Sequence, residues 1–427
     1  MLKDFKNYEA KELETQVTEF LNKDDFTLLY LEETIFFPES AGQVSDKGVI
    51  IFNDEEYKVL SLAISDNKVV HKVELIKDIQ VGSKVIAKID KNHRLLVSQN
   101  HSAAHLLFDT LREFFPTSKG KGYFNDDKGF RIDMQIEEKI DWNVIYKINE
   151  VVTKKRRTAK FRKDIIVDAK TAKEQYNLSI EFNEKELEGD LRIVQFGDVS
   201  TQLCSGTHVE NLLEIFNFLI YDFESKGSKV FRFYAKTDEK LVREQYSEFT
   251  KKEMGEISRL IGDYAGLNKK FGKNEKMEEV LERFAQIKKD LLYPKWESYI
   301  KLKILTTDFR EAMKEFSTHV DAKVKDNLYN KYKDYQPDLE GEFNIFKINE
   351  RNLERKDYLF ICDVILKNNK NAYVEVVNKE AGLFFCKSNC AINAFERMDQ
   401  HLDYIVKGGG NEKTAQGVII ERGKLKN

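Results

Sequence analysis

Two pairs of potential metal ligands stand out in this sequence, and both have a four-residue step. His101 and His105 lie within an apolar helical pattern, so both imidazoles face the same side of one helix. Cys204 and His208 repeat the step, but Gly206 between them favours a tight loop over a helix. Three imidazoles and one thiolate form an acceptable Zn²⁺ shell. We therefore predict that these four side chains meet around one zinc ion.

The residues alone leave the role of this ion open. Ser102 occupies the position of the Glu in the His-Glu-x-x-His pattern of metalloproteases, so no general base follows the first histidine. A four-ligand shell is often structural, whereas an open position lets the ion polarise an ester carbonyl or lower the pKa of bound water. A second metal site from Cys386, Cys390 and His401 is conceivable, but buried free cysteines are commoner.

The composition is that of a globular protein without a global charge signal. The 427 residues allow two to four domains, 41% are hydrophobic, and the net charge is −3 at pH 7. Contact with nucleic acid must therefore come from local patches. Four widely spaced cysteines favour a reducing compartment over a disulfide scaffold. Without a run of 18 apolar residues or an apolar leader, we expect a cytoplasmic protein that does not span a membrane.

The elements around these ligands predict an α+β chain with several domains. The predicted domains are a small β-barrel (1–90), an α+β zinc-binding domain (91–236), a helical hairpin with coiled-coil-like contacts (237–304) and a C-terminal α+β domain (305–427). The barrel is predicted from short strand candidates separated by turn signals: Phe26–Leu31, Gly48–Phe52, Tyr57–Leu62 and Lys84–Ile89.

Local patterns make further predictions. The histidine helix runs from about Ser98 to Phe115, and Ser98 or Asn100 caps it. Pro294 interrupts the second arm of the hairpin. The C-terminal predictions are a strand at Phe360–Leu366, a helix at Ser388–His401 and a flexible loop at Lys407–Asn411.

A basic run ends the predicted helix from Trp142 to about Arg157. It contains Lys154, Lys155, Arg156 and Arg157, followed by Lys160, Arg162 and Lys163. Such a run is usually a solvated face, and it can equally grip a phosphate backbone.

Several stretches, in order, resemble parts of alanyl-tRNA synthetases. Residues 90–94 and 98–107, which include Asn100-His101-Ser102-Ala103-Ala104-His105, are similar to the start of the editing domain of that family. Cys204-Ser205-Gly206-Thr207-His208 resembles its Cys-Gly-Gly-Thr-His signature. Residues 34–48, with Ala41-Gly42-Gln43, resemble the Gly-Gly-Gln loop of the preceding barrel. The tail, with Gly408-Gly409-Gly410, is similar to the DHH-associated domain that ends those synthetases.

The resemblance implies a free-standing editing protein of the long type, because no synthetase catalytic domain fits before residue 34. Such a protein hydrolyses the ester of mischarged tRNA(Ala), chiefly Ser-tRNA(Ala) and also Gly-tRNA(Ala). A homodimer through the C-terminal part is a further expectation. The resemblance implies that zinc is held by His101, His105, Cys204 and His208, and that the catalytic residues are Thr207 and Gln43. It implies that the substrate is contacted by Gly42, Gln43, Lys121 and Arg131. It further implies that tRNA is contacted by Lys154, Lys155, Arg156, Arg157, Gly408, Gly409 and Gly410.

The sequence also departs from the family pattern. Ala41 and Ser205 each replace a glycine, and Gly120 stands where many members have Gln, so a polar group that could read the substrate side chain is absent there. Two other functions stay open: a non-catalytic tRNA-binding module with structural zinc, and editing of another charged tRNA such as Ser-tRNA(Thr). The Gly-Gln loop and the C-terminal domain favour alanine.

Overall fold

The chain divides into two compact units. The computed structural model describes residues 8–168, 170–172, 190–291, 295–338 and 342–422. Unit 1 comprises Met1–Asp263 and Glu278–Phe309, and unit 2 comprises Tyr264–Met277 and Arg310–Asn427. Both units mix helices with sheets, so the predicted α+β class is confirmed.

Unit 1 begins with a closed β-barrel. The strands are β1 (Glu12–Asn22), β2 (Phe26–Leu31), β3 (Gly48–Phe52), β4 (Glu55–Ser65), β5 (Lys68–Glu74) and β6 (Lys84–Ile89). They are hydrogen-bonded in the order β1-β2-β5-β4-β3-β6, which confirms the predicted barrel. β1 and β5 are not among the predicted strands, because β1 buries few of its side chains and β5 places a histidine among its buried residues.

The ligand-bearing part of unit 1 follows the barrel. Its elements are α1 (Lys91–Phe114), β7 (Lys119–Asn125), β8 (Phe130–Gln135), α2 (Trp142–Arg156), β9 (Arg162–Asp168), β10 (Asp190–Phe196), β11 (Ser200–Leu203), a 3₁₀ turn (Leu212–Glu214), β12 (Leu219–Ser225) and β13 (Val230–Lys236). One sheet has the order β11-β10-β9 and another has the order β12-β13-β8-β7. Helix α1 contacts α2 and strands of both sheets, so it is the central element of this part.

Helix α1 begins earlier than predicted. Asp90 caps it, since its side chain accepts hydrogen bonds from the backbone of Asn92 at 2.9 Å and from that of the next residue at 3.1 Å. The predicted caps, Ser98 and Asn100, are buried in the middle of the helix. Their polar side chains bond to neighbouring segments, and the Ser98 hydroxyl lies 3.0 Å from Thr207 Oγ1. Ser and Asn are common helix caps, but at positions 98 and 100 they lie inside the helix and do not mark its start.

The helical region contains α3 (Glu239–Phe271), α4 (Glu275–Asp290) and α5 (Trp296–Tyr332). Its last helix continues well beyond the predicted hairpin. The sequence conceals this helix because apolar residues occur on several of its faces, including the consecutive pair Tyr299 and Ile300, so no single stripe marks it. Pro294 lies outside the described residues. Among the described residues, no helix combines the length and apolar character needed to cross a bilayer.

Unit 2 is built on a mixed sheet. Its remaining elements are β14 (Asn344–Asn349), α6 (Arg355–Asn368), β15 (Ala372–Asn378), β16 (Leu383–Ser388), α7 (Ala394–Asp399), β17 (Tyr404–Gly410) and β18 (Thr414–Arg422). The strand order is β14-β15-β16-β18-β17, and β14 runs parallel to β15.

Three C-terminal predictions are wrong. Phe360–Leu366 lies within helix α6, whose buried residues, including Tyr358, Ile361 and Ile365, recur at helical spacing. The predicted helix at Ser388–His401 is restricted to α7. Gly408, Gly409 and Gly410 lie in β17 and pair with β18, so they do not form a flexible loop. A Cβ on Gly408 would lie 2.5 Å from Gly417 Cα, so this glycine permits a close strand approach.

The barrel core contains a fully buried histidine. His71 Nε2 lies 2.8 Å from Thr34 Oγ1, and its Nδ1 lies 3.3 Å from the carbonyl oxygen of Leu29. Burial lowers the pKa of His71 to about 4, because the charged imidazolium loses its hydration. In the unfolded chain the pKa returns to about 6.5. The unfolded chain therefore binds more protons in this interval, and stability is lost as the pH falls from 6.5 towards 4.

We expect His71 to contribute up to about 3 kcal/mol to the loss of unfolding free energy between pH 7 and pH 4. In the His71→Gln variant, which keeps a polar neutral side chain, the unfolding free energy falls less over this interval. Urea denaturation at pH 7, 5 and 4 measures the difference, and the other histidines cancel in the comparison. Identical pH dependence in both proteins would contradict the assignment.

Candidate metal centre

The four predicted ligands meet at one point in unit 1. One ligand atom from each of His101, His105, Cys204 and His208 lies within 4.8 Å of every other. Cys204 Sγ lies 3.3 Å from His101 Nε2 and 3.3 Å from His208 Nε2. The predicted convergence is confirmed, and the cluster could hold a metal ion.

Helix α1 and the loop after β11 supply two ligands each. The loop is held against β10, since the Cys204 backbone N–H donates to the Arg192 carbonyl at 3.0 Å and the Arg192 guanidinium donates to the Gly206 carbonyl at 2.6 Å. The same guanidinium donates to both carboxylate oxygens of Asp164, at 2.9 and 3.0 Å. This bidentate pair orients Arg192, so it positions the loop that carries Cys204 and His208.

The middle of the loop passes directly against the histidine helix. A Cβ on Gly206 would lie 2.5 Å from His101 Nδ1 and 2.7 Å from Gln43 Oε1, so no larger residue fits without displacement. Ser205, which replaces a glycine of the family signature, is exposed instead. The loop thus tolerates a side chain at position 205 and requires glycine at position 206.

Gln43 determines which nitrogen of His101 faces the cluster. Its Oε1 accepts the backbone N–H of Thr207 at 3.0 Å, which defines the orientation of the amide. The same oxygen lies 2.7 Å from His101 Nδ1, so that nitrogen carries the proton and donates it. Nε2 is then left with its lone pair towards Cys204. This is the tautomer that a metal ligand needs, and the polar partner of the second nitrogen stabilises it.

Ser102 orients the ring of His208. Its Oγ lies 3.0 Å from His208 Nδ1 and accepts the Val209 backbone N–H at 3.1 Å. The hydroxyl therefore holds the ring with Nε2 directed at the Cys204 sulfur. Residue 102 carries a hydroxyl that orients a ligand, in place of the general base that a metalloprotease has there.

Burial sets the protonation state of the cluster and keeps its three imidazoles in the form that binds a divalent cation. Burial lowers the pKa of His105 to about 3 and the pKa values of His101 and His208 well below the usual 6.5. Burial also raises the pKa of the Cys204 thiol to about 11. The imidazoles are therefore in the neutral form that binds metals. His105 Nδ1 is buried without a hydrogen-bond partner among the described residues, so the bonding of this ring is incomplete without a ligand.

The alternative cysteine site is not formed. Within the described residues, His101, His105, Cys204 and His208 make the cluster that fits one ion. Cys386 Sγ lies 3.4 Å from the Ala394 carbonyl oxygen, and His401 Nε2 lies 3.2 Å from Glu375 Oε2. These two side chains thus have separate partners.

Two family models match the chain. The model described as tRNA synthetases class II (A) matches residues 4–93, and the model described as the threonyl and alanyl tRNA synthetase second additional domain matches residues 191–234. Alanine–tRNA ligase of Mycoplasma mycoides subsp. mycoides is 27% identical over 95% of this chain. Those of Mycoplasma capricolum subsp. capricolum and Mesoplasma florum are 28% and 27% identical over 93% and 94% of it.

The chain is related to the alanine–tRNA ligases. It spans 45% of the length of each of these three relatives. A solved structure of RecJ from Thermus thermophilus covers 42% of this chain and 28% of its own, with 14% identity and a TM-score of 0.21, which is too low to support an argument.

Only some of the residues predicted to contact the substrate lie beside the cluster. Gly42 and Gln43 belong to the loop that reaches the cluster, and a Cβ on Gly42 would lie 2.5 Å from the Tyr123 carbonyl oxygen. Lys121 is exposed on β7. Arg131 is paired in register with Phe124, on the face of the sheet opposite to Tyr123, and donates to Asp133 at 3.0 Å. The structure therefore does not bring Arg131 together with the cluster.

The four basic residues at the end of α2 also divide. Lys155 donates to Glu113 at 2.7 Å and Arg156 donates to the Ile215 carbonyl at 2.8 Å, so both have partners within unit 1. Lys154 and Arg157 are exposed, and Lys154 Nζ also lies 3.0 Å from Glu150 Oε1 one turn earlier in the helix. The contact of this run with tRNA, and that of the three glycines in β17, stay predictions.

Three residues that complete the centre were missed from the sequence. Ser102 orients His208, Arg192 holds the ligand loop, and the ring of Tyr123 lies 5.0 Å from that of His101. Ser102 carried a signal, since it lies inside the histidine motif. Arg192 and Tyr123 carried none, because their roles arise from contacts between distant segments.

We expect Gly206→Ala to weaken zinc binding at least about tenfold and to lower the unfolding free energy by about 1–3 kcal/mol, because the added methyl group overpacks the His101 ring. Competition with a chromogenic chelator measures the affinity. Gly255→Ala is the matched control, since a Cβ there meets nothing within 4 Å and the residue lies within helix α3. This control should stabilise by about 0.5–1 kcal/mol. Equal zinc affinity in the two variants would refute the close approach.

Proposed function

We propose that this chain is a deacylase that hydrolyses the ester of mischarged tRNA(Ala), chiefly Ser-tRNA(Ala) and also Gly-tRNA(Ala). The observation that carries the proposal is the buried cluster of three histidines and one cysteine, in a chain related to alanine–tRNA ligases over 95% of its length. That relationship supports an enzyme that acts on tRNA(Ala). The hydrolytic reaction and its substrates are our proposals and are not part of that relationship. The same holds for a homodimer and for a cytoplasmic location.

Zn²⁺ held by His101, His105, Cys204 and His208 would supply Lewis-acid polarisation of the ester or of an attacking water. The substrate is an activated ester, so the reaction needs positioning more than a large chemical acceleration. The side chains around the ligands therefore carry much of the proposal.

Thr207 is the residue best placed to hold a proton beside the cluster. Its Oγ1 lies 2.9 Å from Gln43 Nε2, which donates to it, and 3.0 Å from Ser98 Oγ. With both neighbours donating, the Thr207 O–H keeps its own proton for a substrate oxygen. Gln43 holds Thr207 by backbone and side chain together, so it sets the direction of this hydroxyl. Gln43 thus orients the Thr207 hydroxyl, and this hydroxyl would donate to the ester.

Exposed basic and aromatic residues in and after the last turn of α2, together with Phe216, would receive the acceptor end of tRNA. Lys154 and Arg157 are exposed at the end of α2, and Phe161, which follows them, is 71% exposed. Phe216 is 62% exposed. Arg162, next in the chain after Phe161, donates to the His208 carbonyl at 2.8 Å and connects this surface to a ligand. Cations bind phosphates and exposed rings stack on unpaired bases.

The alternatives rest on particular observations. Four protein ligands fill a tetrahedral shell, as in many structural zinc sites, so a tRNA-binding module without turnover is the second candidate. The family model over residues 191–234 covers threonyl as well as alanyl synthetases, so Ser-tRNA(Thr) is a further substrate candidate.

The deciding experiment is deacylation by the zinc-loaded full chain. We expect Ser-tRNA(Ala) to be hydrolysed at least about tenfold faster than Ala-tRNA(Ala), since editing requires discrimination in transition-state binding. His105→Ala should abolish turnover. Thr207→Val should lower kcat while zinc content stays at the wild-type level, because the hydroxyl is lost and the shape is kept. Stable Ser-tRNA(Ala) with zinc-loaded protein would refute the proposal, and tRNA binding without turnover would favour the structural alternative. Faster hydrolysis of Ser-tRNA(Thr) would reassign the tRNA.

We expect the double variant Lys154→Glu/Arg157→Glu to weaken tRNA binding and to reduce the salt dependence of the affinity, because two phosphate contacts are lost. Filter binding at several salt concentrations measures both effects. Lys58→Glu/Lys77→Glu is the matched control, since it makes the same change of charge at two exposed lysines of the barrel. Equal weakening in both variants would show a general charge effect and no specific surface.

A further inference from the structure

The hydroxyl of Tyr123 is a buried polar group that the proposed mechanism does not use. It is screened from solvent and has no hydrogen-bond partner among the described residues. The ring lies 5.0 Å from that of His101 at an interplanar angle of 32°. On its other side the loop at Gly42 passes so closely that a Cβ would lie 3.1 Å from Tyr123 Cδ1. Tyr123 therefore lies between the Gly-Gln loop and the metal cluster, partly exposed as a residue but with its hydroxyl screened from solvent.

The polar groups next to Tyr123 already have partners. His101 Nδ1 bonds to Gln43 Oε1 at 2.7 Å, and His101 Nε2 faces Cys204 Sγ at 3.3 Å. The Gln43 amide uses its oxygen and its nitrogen on His101 and Thr207. Buried hydroxyl groups are normally paired, and bulk water does not reach this one. Within the described residues it has no partner, so a group that binds in the site would complete its hydrogen bonding.

The phenol is protonated at neutral pH. Burial, with a smaller contribution from the nearby Cys204 side chain, raises the pKa of Tyr123 well above 10. It therefore offers an O–H donor and an acceptor oxygen beside the cluster. A hydroxyl group is the simplest complement, because it can accept from the phenol or donate to it.

We propose that Tyr123 is the residue that selects the aminoacyl side chain, by hydrogen-bonding the hydroxyl of a seryl group held at the metal centre. This inference rests on the proposed deacylase function and names a specificity residue within it. A seryl group pairs with the buried phenol. A glycyl or alanyl group leaves the phenol unpaired, and sites built to bond a hydroxyl discriminate strongly against analogues that lack it.

The test compares substrates across Tyr123→Phe, which keeps the ring that lies on His101 and removes the hydroxyl. The zinc-loaded full chain is assayed with Ser-tRNA(Ala) and Gly-tRNA(Ala). We expect the ratio of their kcat/KM values to fall at least about tenfold in the variant, since only the seryl ester loses a bond. Tyr373→Phe is the matched control. It removes the hydroxyl of another buried tyrosine, in unit 2, and should leave the ratio as in wild type.

A binding measurement separates this inference from the proposed function. Two stable probes are used: adenosine carrying serine or 2-aminobutyrate through a 3′-amide, which differ only by a hydroxyl and a methyl group. Calorimetry should show that wild type prefers the serine probe and that Tyr123→Phe reduces the preference at least about tenfold. If the protein prefers the serine probe but hydrolyses no ester, the proposed deacylase function is refuted and the role of Tyr123 in selecting serine still stands.

Three results would overturn the role of Tyr123. The first is no preference of wild type for the serine probe. The second is an unchanged substrate ratio in Tyr123→Phe, which would leave the phenol to an ordered water that serves every substrate equally. The third is an equal fall in kcat/KM for both esters together with loss of zinc, which would show that Tyr123 only holds the His101 ring in position.

Discussion

The hydrogen bonds of the Gln43 side chain are the interaction on which the centre depends. One amide joins the barrel loop to His101 on α1 and to Thr207 on the ligand loop, at 2.7, 2.9 and 3.0 Å. Each segment therefore has its position set by the other two. The amide also determines the tautomer of His101. The contact that connects the barrel to the ligand-bearing part of unit 1 therefore leaves Nε2 in the form that could bind a metal ion.

Close packing is the second constraint, and it explains which glycines are needed. The backbone approaches His101 at Gly206 and Tyr123 at Gly42, where a Cβ would contact its neighbours at 2.5 Å. Ala41 shows what such a loop tolerates: it replaces a glycine of the family pattern and keeps a left-handed conformation with φ 49°. Alanine at such a φ costs about 1–2 kcal/mol. The loop geometry is therefore retained against a local preference, as expected where a backbone approach serves a site.

The sequence predicts the parts of this protein that depend on local patterns. The bounds of β2, β3 and β6, the barrel and the convergence of four ligands follow from turn signals and from the spacing of histidines and cysteine. Predictions failed where a distant partner decides the role of a residue. Ser98 has a capping side chain, yet it bonds Thr207 across 109 positions of the chain. The glycines of β17 have the composition of a loop, yet they pair with β18 because their small size permits close approach.

The hydrogen-bond partners of the polar side chains in the centre distinguish residues that hold the ligands in place from residues that could contact a substrate. Gln43, Ser102 and Arg192 bond within the protein and hold ligands or the loop that carries them. Two hydroxyls differ from these groups: Thr207 Oγ1 accepts from Gln43 Nε2 and Ser98, and the Tyr123 O–H has no hydrogen-bond partner among the described residues. A purely structural zinc site gains nothing from an unpaired buried phenol, because such a group only destabilises the fold. The position of this phenol beside the ligands is the strongest physical reason for the proposal that a substrate binds there.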